Sequence, residues 1–198
     1  MQESQTLRPG VRQLSPVDLS TVLKLDSKHK KHMNIDKTSG RFDSVFWQRF
    51  LTNDSERHTL LGYEENGILL ATMGMVKWPS FPYWTISGFQ TTPGRHAYSY
   101  ATNPAMPALW HSALNLAEAD GRYKFYMIKS NKWRSRRHMQ QWYDYVGTER
   151  GYVISIETEI QPNTIPPFKG YWGLMGEQTW PEHLHVLCGT KANVNIFD

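Results

Sequence analysis

The chain predicts an α/β or α+β fold in which a mostly antiparallel N-terminal sheet leads into one parallel β-α-β unit and a final pair of strands. Three observations predict it. Two apolar runs flank Glu64-Glu65-Asn66-Gly67, and Asn-Gly is the pair tight hairpins prefer because both central positions take positive φ. A helix opened by Asn103 and Pro104 and closed by Gly121 separates two strand-like runs. Near the C-terminus, "RGYVISIETEIQ" alternates residue by residue as a strand does.

Taken in order, residues 1–9 are polar and expected to fray. "GVRQLS" reads as a short first strand. Ser15 caps the next element, Pro16 suits the first helical position, and Val17, Val22, Leu23 and Leu25 give a helical stripe. "KHKKH" (28–32) ends that helix with positive charge where the dipole favours it, with anion binding the other reading. Asp43 or Ser44 caps a second helix whose face is Val45, Phe46, Phe50 and Leu51. The Asn-Gly hairpin follows, then "YWTISGFQTT", a strand rich in β-branched and aromatic residues, and "AYSYATN", which could extend the sheet.

In the helix after Asn103, Leu109, Ala113, Leu114 and Leu116 repeat on one face. "YKFYMIKS" reads as a buried central strand. "SNKWRSRRHMQQWYDYVGT" is a basic helix from about Trp133 to Tyr145, stopped by Gly147. Residues 161–182 form a long connector. Tyr171, Trp172, Leu174, Met175 and Trp180 make it unusually apolar for a loop, so it should pack against something: a cover over a site, or a homodimer contact. "HLHVLCG" is the last strand. No internal repeat is present, and residues 1–198 read as a single domain.

Composition excludes some classes. With 39% apolar and 13% aromatic residues the chain can bury a core, so it is not a disordered segment. A net charge of +4 and a pI near 9.1 suit an anionic partner, such as a nucleotide cofactor or nucleic acid, and equally a solvated Lys/Arg surface. The one cysteine, Cys188, permits no intramolecular disulfide. No signal-like run and no membrane-length apolar segment is evident, so a cytoplasmic protein without membrane contact is the expectation.

The element order resembles the GNAT (GCN5-related N-acetyltransferase) fold, over roughly residues 10 to 190. Asn131 follows "YKFYMIKS", and "YDYVG" places Tyr143 four residues before Gly147. Both are similar to the family's Asn after the fifth strand and its Tyr-x-x-x-Gly at a helix end. Thr148 stands where the family usually has Phe, and the gap from Asn131 to Tyr143 is longer than usual. The resemblance implies a mixed, mostly antiparallel sheet with helices on both faces, and transfer of an acyl group from acetyl-CoA or another acyl-CoA to an amine. Tyr143 would then be the general acid, since a phenol of pKa about 10 suits a thiolate leaving group. The alternative for Tyr143 is packing beside Met139 and Val146.

The family cradles the cofactor pyrophosphate in a glycine-rich loop that opens a helix. Here that place is "YATNPAMPALW", which lacks glycine and carries two prolines, leaving Ala105, Met106 and Ala108 as nearby N–H donors. Gly94 and Arg95 lie in "TTPGRHA", with no helix directly after. The resemblance further assigns acyl-carbonyl polarisation to backbone groups of a splayed fourth strand at about Tyr98, Tyr100 and Ala101. It puts Asn131, Arg136 and Arg137 near the cofactor, with arginine to grip phosphate.

For a general base, Glu157 and Glu159 alternate along a strand and either line a cleft or form its solvated face. His96 and His111 lie near the expected cofactor region and read equally as surface or boundary histidines. His183, His185 and Cys188 form no paired metal motif, and no metal is expected. Two functions stay open: an acyltransferase with a small-molecule or macromolecular amine acceptor, and a non-catalytic module that recognises a protein or a nucleic acid. For the latter, Lys132, Trp133, Arg134, Arg136, Arg137 and "KHKKH" would form a basic face.

Overall fold

A computed structural model of the chain describes residues 7–33, 44–52, 57–77, 82–92, 104–129, 144–160 and 184–195. The strands are β1 (Val11–Gln13), β2 (His58–Glu65), β3 (Ile68–Lys77), β4 (Tyr83–Thr91), β5 (Lys124–Lys129), β6 (Tyr152–Ile160) and β7 (Leu184–Lys191). The helices are α1 (Leu19–Met33), preceded by a single 3-10 turn at Pro16–Asp18, α2 (Ser44–Thr52) and α3 (Ala105–Ala119). A π-helical turn covers Asp144–Glu149.

All seven strands form one sheet, in the order β1-β2-β3-β4-β5-β7-β6. Every neighbouring pair is antiparallel except β4 and β5, which α3 joins as a crossover. The hairpin turn is as expected, with Asn66 at φ 52 and Gly67 at φ 74. What the alternating pattern did not show is that β7 inserts between β5 and the edge strand β6.

Two apolar layers cover the sheet. On one face α3 packs Leu109, Trp110, Ala113 and Leu114 against Met73, Met75, Trp84 and Phe125, and the π turn adds Tyr145 and Val146. On the other, α1 and α2 set Val22, Leu25, Phe46, Trp47 and Phe50 against Leu60, Val76 and Tyr126. These are called the α3 face and the α1 face below.

Four local expectations are corrected. Val17 is exposed, because it falls in the 3-10 turn before α1; the buried stripe of α1 is Val22, Leu25, Asp26 and His29. Val45 is 47% exposed and Trp47 is buried in its place, since Phe46, Trp47 and Phe50 together meet the sheet. Gly147 does not stop its helix. The turn runs on to Glu149, held by Arg150 N donating to Tyr145 O at 3.1 Å, and Gly151 at φ 72 ends it. The fourth strand of the described sheet is Tyr83–Thr91, earlier in the chain than expected; Tyr98 to Ala101 lie outside the described residues.

Candidate functional site: the open edge of the fourth strand

The parallel pairing of β4 with β5 is short. It joins Tyr83–Ile86 to Lys124–Met127 and then stops. Beyond it, β4 continues to Thr91 against β3 while Ile128 and Lys129 of β5 continue against β7. The two strands part, and among the described strands β4 is left with an edge.

A bulge accompanies the parting. Gly74 pairs with Ser87 and Thr72 with Gln90, so Gly88 and Phe89 together oppose Met73. Gly88 takes φ 58, which glycine adopts without steric cost. Thr72 Oγ1 donates to the Gly88 carbonyl at 2.8 Å, and a Cβ on Gly88 would stand 3.1 Å from Trp47 Cζ3. One buried hydroxyl and one buried indole thus fix the bend.

Past the bulge the backbone alternates again. Thr92 N donates to Leu70 O at 2.7 Å, so the neighbouring pair Thr91–Ala71 is a non-hydrogen-bonded one. The N–H and C=O of Thr91 therefore face away from β3, into the opening. His29 of α1 meets them there, its Nδ1 3.3 Å from Thr91 O and 3.4 Å from Thr91 N. The α1 stripe turns polar as it reaches this point: Val22 and Leu25 give way to Asp26 and His29, all four buried.

Two side chains flank the same edge. Gln90 shares a face with its partner Thr72, the α1 face; Thr91 shares a face with Ala71, the α3 face. Gln90 is 1% exposed, and neither its Nε2 nor its Oε1 has a hydrogen-bond partner among the described residues; the same holds for Thr91 Oγ1. On the α3 face, α3 begins at Pro104 with no side-chain cap. Pro104 and Pro107 have no N–H, so the N–H groups of the first turn before Ala108 belong to Ala105 and Met106. Their side chains are buried in the core, leaving only their backbone to act.

No family model matches the chain, and no curated protein matches it in sequence. Solved structures do match. A probable acetyltransferase from Staphylococcus epidermidis superposes with TM-score 0.59 at 10% identity, over 90% of this chain and 96% of that one. An N-acetyltransferase from Thermoplasma acidophilum, solved with coenzyme A, gives 0.57 at 11% identity, over 89% and 96%. The diaminobutyrate acetyltransferase of Paenibacillus lautus, solved with diaminobutyric acid and coenzyme A, gives 0.59 at 10%, over 94% and 96%. The fold is that of the GNAT acetyltransferases.

On this GNAT fold three of the sequence-derived site residues, Ala105, Met106 and Glu157, lie among the described residues. Ala105 and Met106 lie in the first turn of α3, as expected. Tyr98, Tyr100, Ala101, Asn131, Arg136, Arg137 and Tyr143 lie outside the described residues, Tyr143 directly before the π turn. Among the described residues, the backbone that splays from β5 is Ser87–Thr91. Glu157 pairs with Val186, which also pairs with Ile128, so it is level with the opening. Strand β7 stands between β6 and β5, which puts Glu157 about 10 Å from β5.

The charged residues along α3 anchor the GNAT scaffold away from the edge. Tyr145 Oη lies 3.0 Å from His111 Nδ1, with Arg8 and Arg150 guanidinium nitrogens 3.4 and 3.5 Å from the same atom. All three neighbours are donors, so Nδ1 is the acceptor. Burial, and then the charges of Arg8 and Arg150, hold the His111 pKa below its ordinary value. Glu118 Oε1 accepts from Arg150, Tyr152 and Lys191 at 3.0–3.1 Å. Burial alone would raise the Glu118 pKa, but these partners outweigh it and lower it. Burial and the Glu118 carboxylate push Tyr152 upward. His111 is therefore a clasp between α3 and the π turn.

Two residues of this region were hidden in the sequence. Gly88 lay within one apolar strand run, and His29 lay within a cluster read as surface charge. The spacing 22, 25, 26, 29 was the signal that could have found His29.

Proposed function

We propose that the chain is a divergent N-acyltransferase that moves an acetyl or other acyl group from acyl-CoA to an amine by direct attack. The observation that carries this reading is the parting of β4 and β5 after Ile86 and Met127, which turns the N–H and C=O of Thr91, met by His29, into the opening. An extended amide chain pairs with such an edge as a neighbouring strand would, and the pantetheine arm of CoA is such a chain. The first turn of α3 has no side-chain cap and carries the Met106 N–H at the positive end of its dipole, which suits a phosphate. Coenzyme A in the Thermoplasma and Paenibacillus structures supports the same reading.

Bound acyl-CoA supplies an activated thioester carbonyl. The residues of this chain hold and polarise it. Backbone donors of Ser87–Thr91 face the acyl oxygen, replacing water with fixed dipoles. Arg136 and Arg137 add charge for the phosphates, which the two prolines of α3 make more necessary. Asn131 lies at the cofactor arm. Tyr143 protonates the departing thiolate, and Glu157, two strands from the opening, takes the proton of the amine through water. The acceptor is a small-molecule or macromolecular amine, and the chain works as a single cytoplasmic domain. No helix among the described residues is long and apolar enough to cross a membrane.

A second reading has one observation in its favour: Pro104 and Pro107 remove two donors from the turn that would bind pyrophosphate. It makes the chain a GNAT-like module that binds a protein or nucleic acid without transferring an acyl group. Calorimetric titration with acetyl-CoA and CoA separates the two. Micromolar affinity, thiol release with an amine, and about a hundredfold slower release in Tyr143→Phe are expected of the enzyme. Absence of binding at millimolar cofactor would leave the module.

A further inference from the structure

We infer that Gln90 selects the acceptor, and that the acceptor amine carries a carboxamide: an amino-acid amide or the amino end of a peptide. The inference rests on the acyltransferase reading and names its substrate class. Gln90 is 1% exposed and both polar atoms of its amide lack a partner among the described residues. Buried side-chain amides are almost always paired, because an unpaired one loses its bonds to water and gains none. This one directly follows the bulge, beside the residue whose backbone faces the opening. It is unpaired where a substrate must arrive.

Its face decides which substrate. The register with Thr72 puts Gln90 on the α1 face, and the first turn of α3, suited to the phosphates of the acyl donor, lies on the other. The donor therefore approaches from the α3 face and the acceptor from the α1 face. There the buried stripe of α1 carries Asp26 and His29 in place of apolar residues, polar surroundings fit for an amine.

The amide itself decides the chemistry. It offers N–H donors and one carbonyl acceptor. A carboxylate satisfies only the donors, a second ammonium only the oxygen, and an alkyl chain neither. A carboxamide satisfies both. A site built around a buried polar group rejects analogues that leave it unpaired far more strongly than an apolar pocket rejects a missing methylene.

The test uses the full chain and acetyl-CoA, with thiol release followed for glycinamide, glycine, propylamine and triglycine, and CoA affinity measured alongside. Glycinamide is expected to exceed propylamine and glycine about tenfold or more in kcat/KM. In Gln90→Met, which keeps the length and removes both polar atoms, the preference should shrink to about threefold or less. A triglycine rate above that of glycinamide assigns a peptide end, and a lower one a small amide. The free variant should also melt higher than the natural chain, since two unpaired atoms are gone. A preference that survives Gln90→Met, a lower melting point in that variant, or CoA binding without turnover of either carboxamide substrate each overturns the inference while leaving the acyl-CoA site in place. Failure to bind CoA overturns both.

Discussion

The ring of Phe125 fills the place where a side chain on Gly189 would begin. A Cβ there would stand 2.3 Å from Phe125 Cε1 and Cζ. The two residues are register partners on β5 and β7. The bare position lets Phe125 meet Trp84, Trp110 and Tyr152 at centroid distances of 5.4, 5.6 and 5.5 Å, the aromatic floor beneath α3. Gly189→Ala is therefore expected to lose about 2–3 kcal/mol by overpacking, read as a lower denaturant midpoint. Gly67→Ala is its control: nothing lies within 4 Å of that Cβ, but φ 74 strains it, for a loss of about 1 kcal/mol.

Trp47 supports both the core and the bulge. It is fully buried, meets Phe46 edge-on at 5.0 Å and backs Gly88. Trp47→Ala should cost about 3–5 kcal/mol in chemical unfolding. It should also weaken CoA affinity at temperatures where the variant is still folded, because the bend in β4 loses its support.

The His111 clasp makes stability depend on pH. Its pKa in the folded chain is below the ordinary 6.5, by burial and the charges of Arg8 and Arg150. As pH falls past 6.5 the unfolded chain takes up this proton and the folded chain resists it, so stability declines; it rises again as pH is raised through that window. His111→Gln should flatten the slope of melting temperature against pH between about 5 and 7. An unchanged slope would show that other groups set it.

Glu118 acts in a lower window. Its partners hold its folded pKa below 4.5, so its contribution is present above that value and lost as pH falls through the folded one. Glu118→Ala leaves Arg150 and Lys191 facing each other without their shared carboxylate. With the group partly exposed, a loss of about 1–2 kcal/mol at neutral pH is expected in thermal unfolding.

Local chemistry made much of the fold readable. Asn66 and Gly67 announced their turn, Ser15 and Pro16 the 3-10 turn that leads into α1, and Gly121, at φ 70, the end of α3. What could not be read depends on distant partners. Nothing local to "HLHVLCG" says that it slips between β5 and β6, since register is set by which faces must be buried. The π turn looked like an ordinary helix end at Gly147 because its ladder is fixed by Tyr145 docking on His111. The site was harder still. A GNAT resemblance pointed to Tyr98–Ala101, which lie outside the described residues; the described opening is at Ser87–Thr91, whose bulge depends on Thr72 and Trp47 far away in sequence.

The claim that the open edge of β4 receives acyl-CoA is tested most directly by amide hydrogen exchange with and without CoA. Binding at the edge should slow exchange across Ser87–Thr91 and leave β1 and β2 unchanged. Saturating CoA with no added protection in that segment would contradict it.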